Sequence, residues 1–348
     1  MKKVRLINHI GIVIGLAFCT FYAFIIVIHC FFYKTALNGK LTTKPLLAHF
    51  FAFPVLFGFI GIVLSIVFLA IFLYRKKRGK VFSPGHLLLC SMLFVSSFFL
   101  IIAGSNTKQY EGTGYGEDTF RIVEWNTSDN FGGDSAKIIF DDYDADIVIL
   151  PEFGGYQKGD DARQRISDIF TAVGIDYNLY DMFTSYPNAG NIAPITIIVK
   201  KEFATYDTMA ENTSTMFGTL YLYSSGNIPK IIALHTAPPL PSMMTFWNRD
   251  LDFVSDLTKK NPDAIIVGDF NATLRHGSLN SISTHNDAMD CLSVFARGTW
   301  PIKLPTCFRA SIDHILLPKS IYGIKNIETR SLSGSDHAAI FAELYMKE

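Results

Sequence analysis

No aspartate or glutamate occurs in the first 104 residues of this 348-residue chain, although that stretch holds 11 of its 31 lysines and arginines. The remaining 244 residues carry 20 basic against 31 acidic side chains, a net of −11, so the formal charge of zero is the sum of two unlike halves. Cysteine is scarce as well. The five present form no Cys-x-x-Cys pair and no close Cys/His cluster, and His-Glu-x-x-His is absent, which excludes a disulfide scaffold and argues against zinc. There is no internal repeat or low-complexity tract, and a hydrophobic fraction of 49% excludes disordered and collagen-like chains.

What the N-terminal third does contain is three apolar runs, approximately residues 10–32, 50–73 and 87–103, with no Asp, Glu, Lys or Arg inside any of them. Each approaches the about 20 residues that cross a roughly 30 Å hydrocarbon core. A helix of a soluble core is the alternative for any one run, and a cleaved signal peptide for the first, which follows Lys2, Lys3 and Arg5. That run exceeds the roughly 7–15-residue apolar core of such peptides, and no small-x-small site follows it. Three in succession make residues 1–104 a membrane anchor with three transmembrane helices.

Three basic residues precede the first run, three lysines lie in 33–49, and five basic residues crowd RKKRGK at Arg75–Lys80. The densest cluster is expected to stay cytoplasmic, with the N-terminus inside and everything after Gly104 outside. The expectation is a multi-pass protein of a bacterial cell membrane, bound to the lipid bilayer, with an extracytoplasmic C-terminal domain and no obligate protein partner. Residues 105–118, rich in Gly, Ser and Thr, read as a linker, and 119–348 as one domain.

Beyond residue 119 the pattern changes to short apolar runs that stop at polar groups. FRIVEWNT reaches Asn126, DIVILPEF Glu152, KIIALHT His235, and AIIVGDFN Asp269 and Asn271; SIDHILLP starts with Asp313 and His314, and GSDHAAIF with Ser335, Asp336 and His337. Such runs are buried strands, and helical spacing falls at Asp160–Val173 and Pro241–Lys260. The fold class is α/β. Polar residues at one strand end need only terminate a turn. Six such ends supplying carboxylates, carboxamides and imidazoles suit a hard cation, Mg²⁺ or Mn²⁺, and a base acting on water.

The ordered series Asn126, Glu152, His235, GDFN (Gly268–Asn271), IDH (Ile312–His314) and SDH (Ser335–His337) resembles the endonuclease/exonuclease/phosphatase superfamily. Together with the N-terminal helices, HTAPP (His235–Pro239), GDFNAT (Gly268–Thr273) and TWP (Thr299–Pro301) resemble its membrane-anchored branch. The resemblance implies a four-layered α/β sandwich, two packed mixed sheets flanked by helices, that cleaves phosphoesters with a divalent metal. It implies Glu152 as the principal metal ligand, with Asn126 and Asp336 completing the site. His337 would be the base or the charged partner of the phosphate, oriented by Asp313. Asp269 would hold the attacking water, Asn271 a phosphate oxygen, and His235 the developing charge.

The chain departs from the family's pattern at Pro151, where many members have Gln, and at Ser128, where some have a carboxylate. Lys200 or Lys201 stands near the place of a Ser-Arg or Ser-Lys pair. Arg275 and His276 are candidates to line the site or to be solvated. His314, on the opposite strand face from Asp313, is expected to pack. Trp300 is expected as a core or pocket wall, and Arg309 as a phosphate contact or a surface ion pair. Cys291 and Cys307 lie where a disulfide is permitted.

The expected activity is hydrolysis of a phosphodiester or phosphomonoester by in-line attack of activated water, in a nucleic acid, a phospholipid head group or another cell-surface phosphoester. The alternative is a catalytically inactive, membrane-tethered binding or sensor module of the same fold, motivated by Pro151 and Ser128. Transport is disfavoured because the apolar runs contain no charge to mark a pathway.

Overall fold

The computed structural model describes residues 2–79, 84–108, 118–154, 162–185, 192–209, 214–224 and 228–347, with side chains from Ile10 onward. It divides into two compact units, Met1–Asn106 and Thr107–Glu348. Most of the expected linker, the lysine at position 80 and the expected helix start at residue 160 lie outside the described residues.

The first unit is helical: α1 (Lys2–Phe31), α2 (Ala36–Thr42), α3 (Leu47–Ala52), α4 (Pro54–Lys77) and α5 (Pro84–Ser105). Among the described residues three segments are long and apolar enough to cross a membrane, Ile10–Phe31, Pro54–Lys77 and Pro84–Ser105, with 22, 24 and 22 residues. The second begins four residues later than its apolar run because Phe50–Ala52 belong to α3, and Pro54, which has no N–H to leave unpaired, opens α4. Phe18, Phe24, Ile66, Phe68 and Val95 face outward while Ser65, Ser96 and Ser97 are buried. This inversion of the soluble pattern is what a hydrocarbon solvent selects. Gly61 lets α4 and α5 approach closely, since a Cβ there would run into the Ser97 hydroxyl.

The second unit holds two six-stranded mixed sheets. One contains β1 (Thr119–Glu124), β2 (Ile147–Leu150), β3 (Tyr180–Thr184), β4 (Thr196–Lys200), β11 (Tyr322–Ser331) and β12 (Ala338–Met346), in the order β11-β12-β1-β2-β4-β3. The other contains β5 (Asp207–Met209), β6 (Thr219–Tyr223), β7 (Lys230–His235), β8 (Ala264–Asp269), β9 (His285–Asp287) and β10 (Asp313–Pro318), in the order β5-β6-β7-β8-β10-β9. Helices α6 (Gly133–Ala136), α7 (Ala162–Val173) and α8 (Met244–Lys260) flank them.

Ile122, Ile149, Ile197 and Ile340 of one sheet join Ile231, Ala233, Ile265, Val267 and Ile315 of the other in one core. On the outer face of the first sheet, Val123, Val148 and Ile198 pack with Phe140, Ile166 and Phe170. Burial on both faces explains why these strands read as unbroken apolar runs rather than alternating ones. Each sheet contains one parallel pair, β1 with β2 and β7 with β8, so neighbouring strands of each pair deliver their C-terminal residues to the same edge.

Gly268, in β8 with φ of +139°, lies so close to β7 that a Cβ would meet the Leu234 carbonyl oxygen. Because that obstacle is backbone, Gly268→Ala is expected to cost about 2–3 kcal/mol. The check is thermal unfolding of the detergent-solubilised chain: a fall in Tm of several degrees is expected, and an unchanged Tm contradicts the packing described.

Candidate active site

Sheet register builds the centre of the site. His235 at the end of β7 pairs with Asp269 at the end of β8, and Asp269 pairs with Asp313 at the start of β10, so the three form a row across adjacent strands. From the other sheet, Asn126 follows β1, Glu152 follows β2, and Asp336 and His337 precede β12. Local hydrogen bonds hold these ends: Thr127 donates its N–H to the Pro151 carbonyl (3.0 Å) and its hydroxyl to the Glu152 carbonyl (2.7 Å), and Trp125 Nε1 donates to the His337 carbonyl (3.1 Å). Ser335 Oγ donates to the Asn126 carbonyl at 2.6 Å and accepts the His337 N–H at 3.0 Å. Glu152 and Asn271 both adopt left-handed backbone, at φ 54° and 45°, which their surroundings must enforce.

Asp269 is the hub. Its Oδ1 accepts the Asn271 N–H at 2.7 Å and its Oδ2 accepts Asn126 Nδ2 at 3.0 Å. Asn126 Nδ2 also donates to Glu152 Oε1 (3.1 Å), while its Oδ1 accepts the Ser128 N–H (3.0 Å). His337 Nδ1 lies 3.0 and 2.9 Å from the two Asp313 oxygens, and its Nε2 is 4.0 Å from Asp269 Oδ2. His235 Nε2 sits 3.5 Å from Asp269 and 3.7 Å from Glu152. Asn271 turns its amide nitrogen to the Thr236 carbonyl at 3.0 Å. Asp336 accepts from Trp300 Nε1 (2.7 Å) and Ser128 Oγ (3.2 Å), so the indole forms a wall and Ser128, at a departure from the family's pattern, is tied into the site.

Desolvation sets the protonation pattern. Burial opposes charge on His337, but Asp313 beside it, with Asp269 and Asp336, raises it to about 10, so the ring is an imidazolium at neutral pH. Burial and that neighbouring positive charge push His235 down to about 3. Its approaches to Asp269 and Glu152 are therefore contacts of a neutral ring, not ion pairs. Burial and Asp313 push Asp269 up to about 7, against the pull of His337. Burial raises Glu152 too, opposed by the Asn126 hydrogen bond.

The sequence reading missed Glu124, whose carboxyl is fully buried with neither oxygen hydrogen-bonded among the described residues. Burial, then Asp313 and Asp269, raise it well above its ordinary value, which favours its neutral form. A lone Glu at the end of an apolar strand run was the available signal.

Other expected residues stand elsewhere. Because β4 runs antiparallel to β2, Lys200 falls at the opposite end from the site and pairs with Asp144 at 2.7 Å, and Lys201 donates to the Asn178 carbonyl. Arg309 forms no ion pair among the described residues and instead donates to the carbonyls of Leu304 (2.7 Å) and Ile302 (2.9 Å). His276 is buried, with Nδ1 accepting the Thr273 N–H at 3.0 Å, and is not a solvated loop residue. Cys291 and Cys307 are unbridged. His314 faces away from the site, as expected, but as a polar group bonded to Asp287.

Asp269, Asp313 and His337 each offer an atom, all within 4.8 Å of one another, but an imidazolium at position 337 has no lone pair for a cation, so the carboxylates are the metal-seeking part of the group. Both Asp313 oxygens are engaged by His337, whereas Glu152 is part-exposed with only Oε1 hydrogen-bonded among the described residues. Oxygen donors in excess of nearby positive charge fit a hard divalent ion.

Residues 126–337 match the model of the Endonuclease/Exonuclease/phosphatase family. The chain belongs to this family. Its members are generally hydrolases of phosphoesters, and the span matched begins at Asn126 and ends at His337. No curated protein matches the chain. Similar solved structures include D. rerio TDP2 complexed with a single-strand DNA product, at 17% identity over 66% of this chain and 100% of that one, TM-score 0.49. The human Nocturnin catalytic domain with bound sulfate is 13% identical over 69% and 97%, TM-score 0.46. An endonuclease/exonuclease/phosphatase from Bacteroides vulgatus is 14% identical over 66% and 100%, TM-score 0.44.

A group whose folded pKa is raised, here His337 from 6.5 to about 10, contributes stability that is complete below pH 6.5 and is lost as pH climbs through 10. Thermal unfolding with chelator present should therefore show the margin of wild type over His337→Gln constant below pH 6.5 and shrinking toward pH 10. A margin independent of pH across that window contradicts an imidazolium at position 337.

Proposed function

We propose that the chain is a membrane-anchored, divalent-metal-dependent phosphoesterase that hydrolyses a phosphodiester or phosphomonoester by in-line attack of water, with residues 119–348 as its catalytic domain. The observation that carries this reading is the convergence of Asp269, Asp313 and His337 within 4.8 Å beside Glu152, Asn126 and a neutral His235.

Mg²⁺ or Mn²⁺ would be held by Glu152, Asn126 and Asp336 and, when bound, supplies charge stabilisation at a phosphate oxygen. Asp269, raised to about 7, holds the water and takes its proton, because a base near neutrality combines availability with proton affinity. His337, oriented by Asp313, serves as the charged partner of the phosphate. His235 donates from its neutral ring to the developing charge, and Asn271 would take a phosphate oxygen by turning its amide from the Thr236 carbonyl.

The Lys and Arg distribution supports an extracytoplasmic catalytic domain, the RKKRGK cluster staying inside. Three helices long enough to span a bilayer favour a phosphoester at the membrane, such as a lipid head group, while a net of −11 after residue 104 weighs against avid nucleic-acid binding. Full-length protein in nanodiscs, supplied with Mg²⁺ or Mn²⁺, is to be compared on phospholipid vesicles and plasmid DNA, with faster vesicle hydrolysis expected.

On the better substrate, Glu152→Ala should lower kcat/KM about 10- to 100-fold or more, and His337→Ala about 10²- to 10⁴-fold. Full activity in either variant rejects the assignment. A C-terminal reporter that works only in the cytoplasm should be silent; a working one reverses the orientation.

A further inference from the structure

Four consecutive carbonyls, from Asp269 to Ala272, each accept a hydrogen bond from outside the turn. The Asp269 oxygen takes the Thr236 N–H (3.0 Å), that of Phe270 the Thr236 hydroxyl (2.6 Å), that of Asn271 the Trp247 indole N–H (3.1 Å) and that of Ala272 lies against His314 Nε2 (2.8 Å). Free loops leave such groups to water; here a turn with a left-handed asparagine is wired throughout.

His314 is the donor that joins this turn to β10, the strand that starts with Asp313. Its other nitrogen, Nδ1, lies 2.7 Å from Asp287 Oδ2, and Asp287 is itself fixed by accepting the Met289 N–H at 3.1 Å. Both ring nitrogens thus face acceptors, an arrangement met by an N–H at each. Histidine and aspartate are 2% and 4% exposed, so the pair is inaccessible to substrate and acts only through what it touches.

We propose that His314, held by Asp287, is a positioning residue of the catalytic turn: its Nε2–H fixes the Ala272 carbonyl and thereby the placement of Asp269 and Asn271 against Asp313. The role rests on the phosphoesterase reading of the site. Substitution should move the rate rather than substrate binding, because small misplacements of a reacting group act on the transition state.

The test uses full-length protein in nanodiscs with Mn²⁺ and bis(p-nitrophenyl) phosphate, in an Asp287→Asn background so that no variant leaves a buried carboxylate without a counter-charge. There, His314→Gln keeps a donor where Nε2 stood, whereas His314→Asn moves it to the place of Nδ1 and abandons Ala272. The glutamine variant is expected within about threefold of the Asp287→Asn parent in kcat, and the asparagine variant about 10- to 100-fold below it with KM nearly unchanged. Equal kcat in the two variants overturns the proposal.

Hydrogen exchange of peptides covering 264–276 is read on the same proteins. Faster exchange in the asparagine variant alone supports the clamp, and unchanged exchange in both overturns it. Wild-type protein that hydrolyses nothing, while the variants show that exchange difference, refutes the phosphoesterase reading and leaves the clamp standing.

Discussion

Negative charge gathered at one end of a dry sandwich is the constraint on which the rest of the site depends. Glu124, Asp269 and Asp313 are essentially out of solvent, and Glu152 stands beside them. Carboxylates in such a place repel one another and lose hydration that nothing apolar can replace. The fold answers in three ways. Neutrality is favoured at Glu124, an imidazolium forms at His337, and the Asn126 side-chain amide and the Asn271 backbone N–H reach Asp269. His235 stays neutral because its burial opposes charge, and the imidazolium next to it adds to that.

That arrangement is possible only because both sheets end strands at the same place. A parallel pair in each sheet brings two C-terminal ends side by side, and antiparallel β10 and β12 bring Asp313 and His337 to the same edge from the other direction. Helix α8 serves the site as well as the core. It buries Leu251, Val254 and Leu257 while Trp247 reaches the Asn271 carbonyl and Asp250 accepts the N–H groups of Ala237 and Met216, on either side of His235 and the Phe217 ring tilted against it.

Much of this was legible in the sequence, for definite reasons. Membrane-crossing runs announce themselves by length and lack of charge, and strands buried on both faces are apolar throughout, so each polar residue at an end stands out. What stayed hidden depends on neighbours far along the chain. Lys200 looks like a site residue until the direction of β4 is known, and Arg309 looks like a phosphate ligand until the carbonyls of Ile302 and Leu304 come within its reach. His314 looks like packing because alternation assigns a face but not the partner waiting there. Asp250 carried an overlooked signal: an acid at the helical spacing of Trp247, Leu251 and Val254 belongs to a buried face and must find donors.

The charge count of the C-terminal domain also changes meaning once the groups are located. A net of −11 after residue 104 suggests a surface that repels phosphates. Yet burial favours the neutral form of Glu124, Asp313 faces an imidazolium, and Asp287 is bonded to His314. Around the surface, Asp144 meets Lys200 and Arg121, Asp129 meets Arg165, and Glu343 meets Lys325, so these acids act on solvent mainly as pairs. The field met by an approaching phosphoester is therefore weaker than the count, and it is governed locally by the part-exposed Glu152 and by Asp336 with the Trp300 indole bonded to it. A cation bound by those two carboxylates would reverse the sign of the potential at the point where a phosphate arrives. On the proposed reading of the site, attraction of substrate and assembly of the metal site would be the same event, and an overall acidic domain would not by itself oppose phosphoester chemistry.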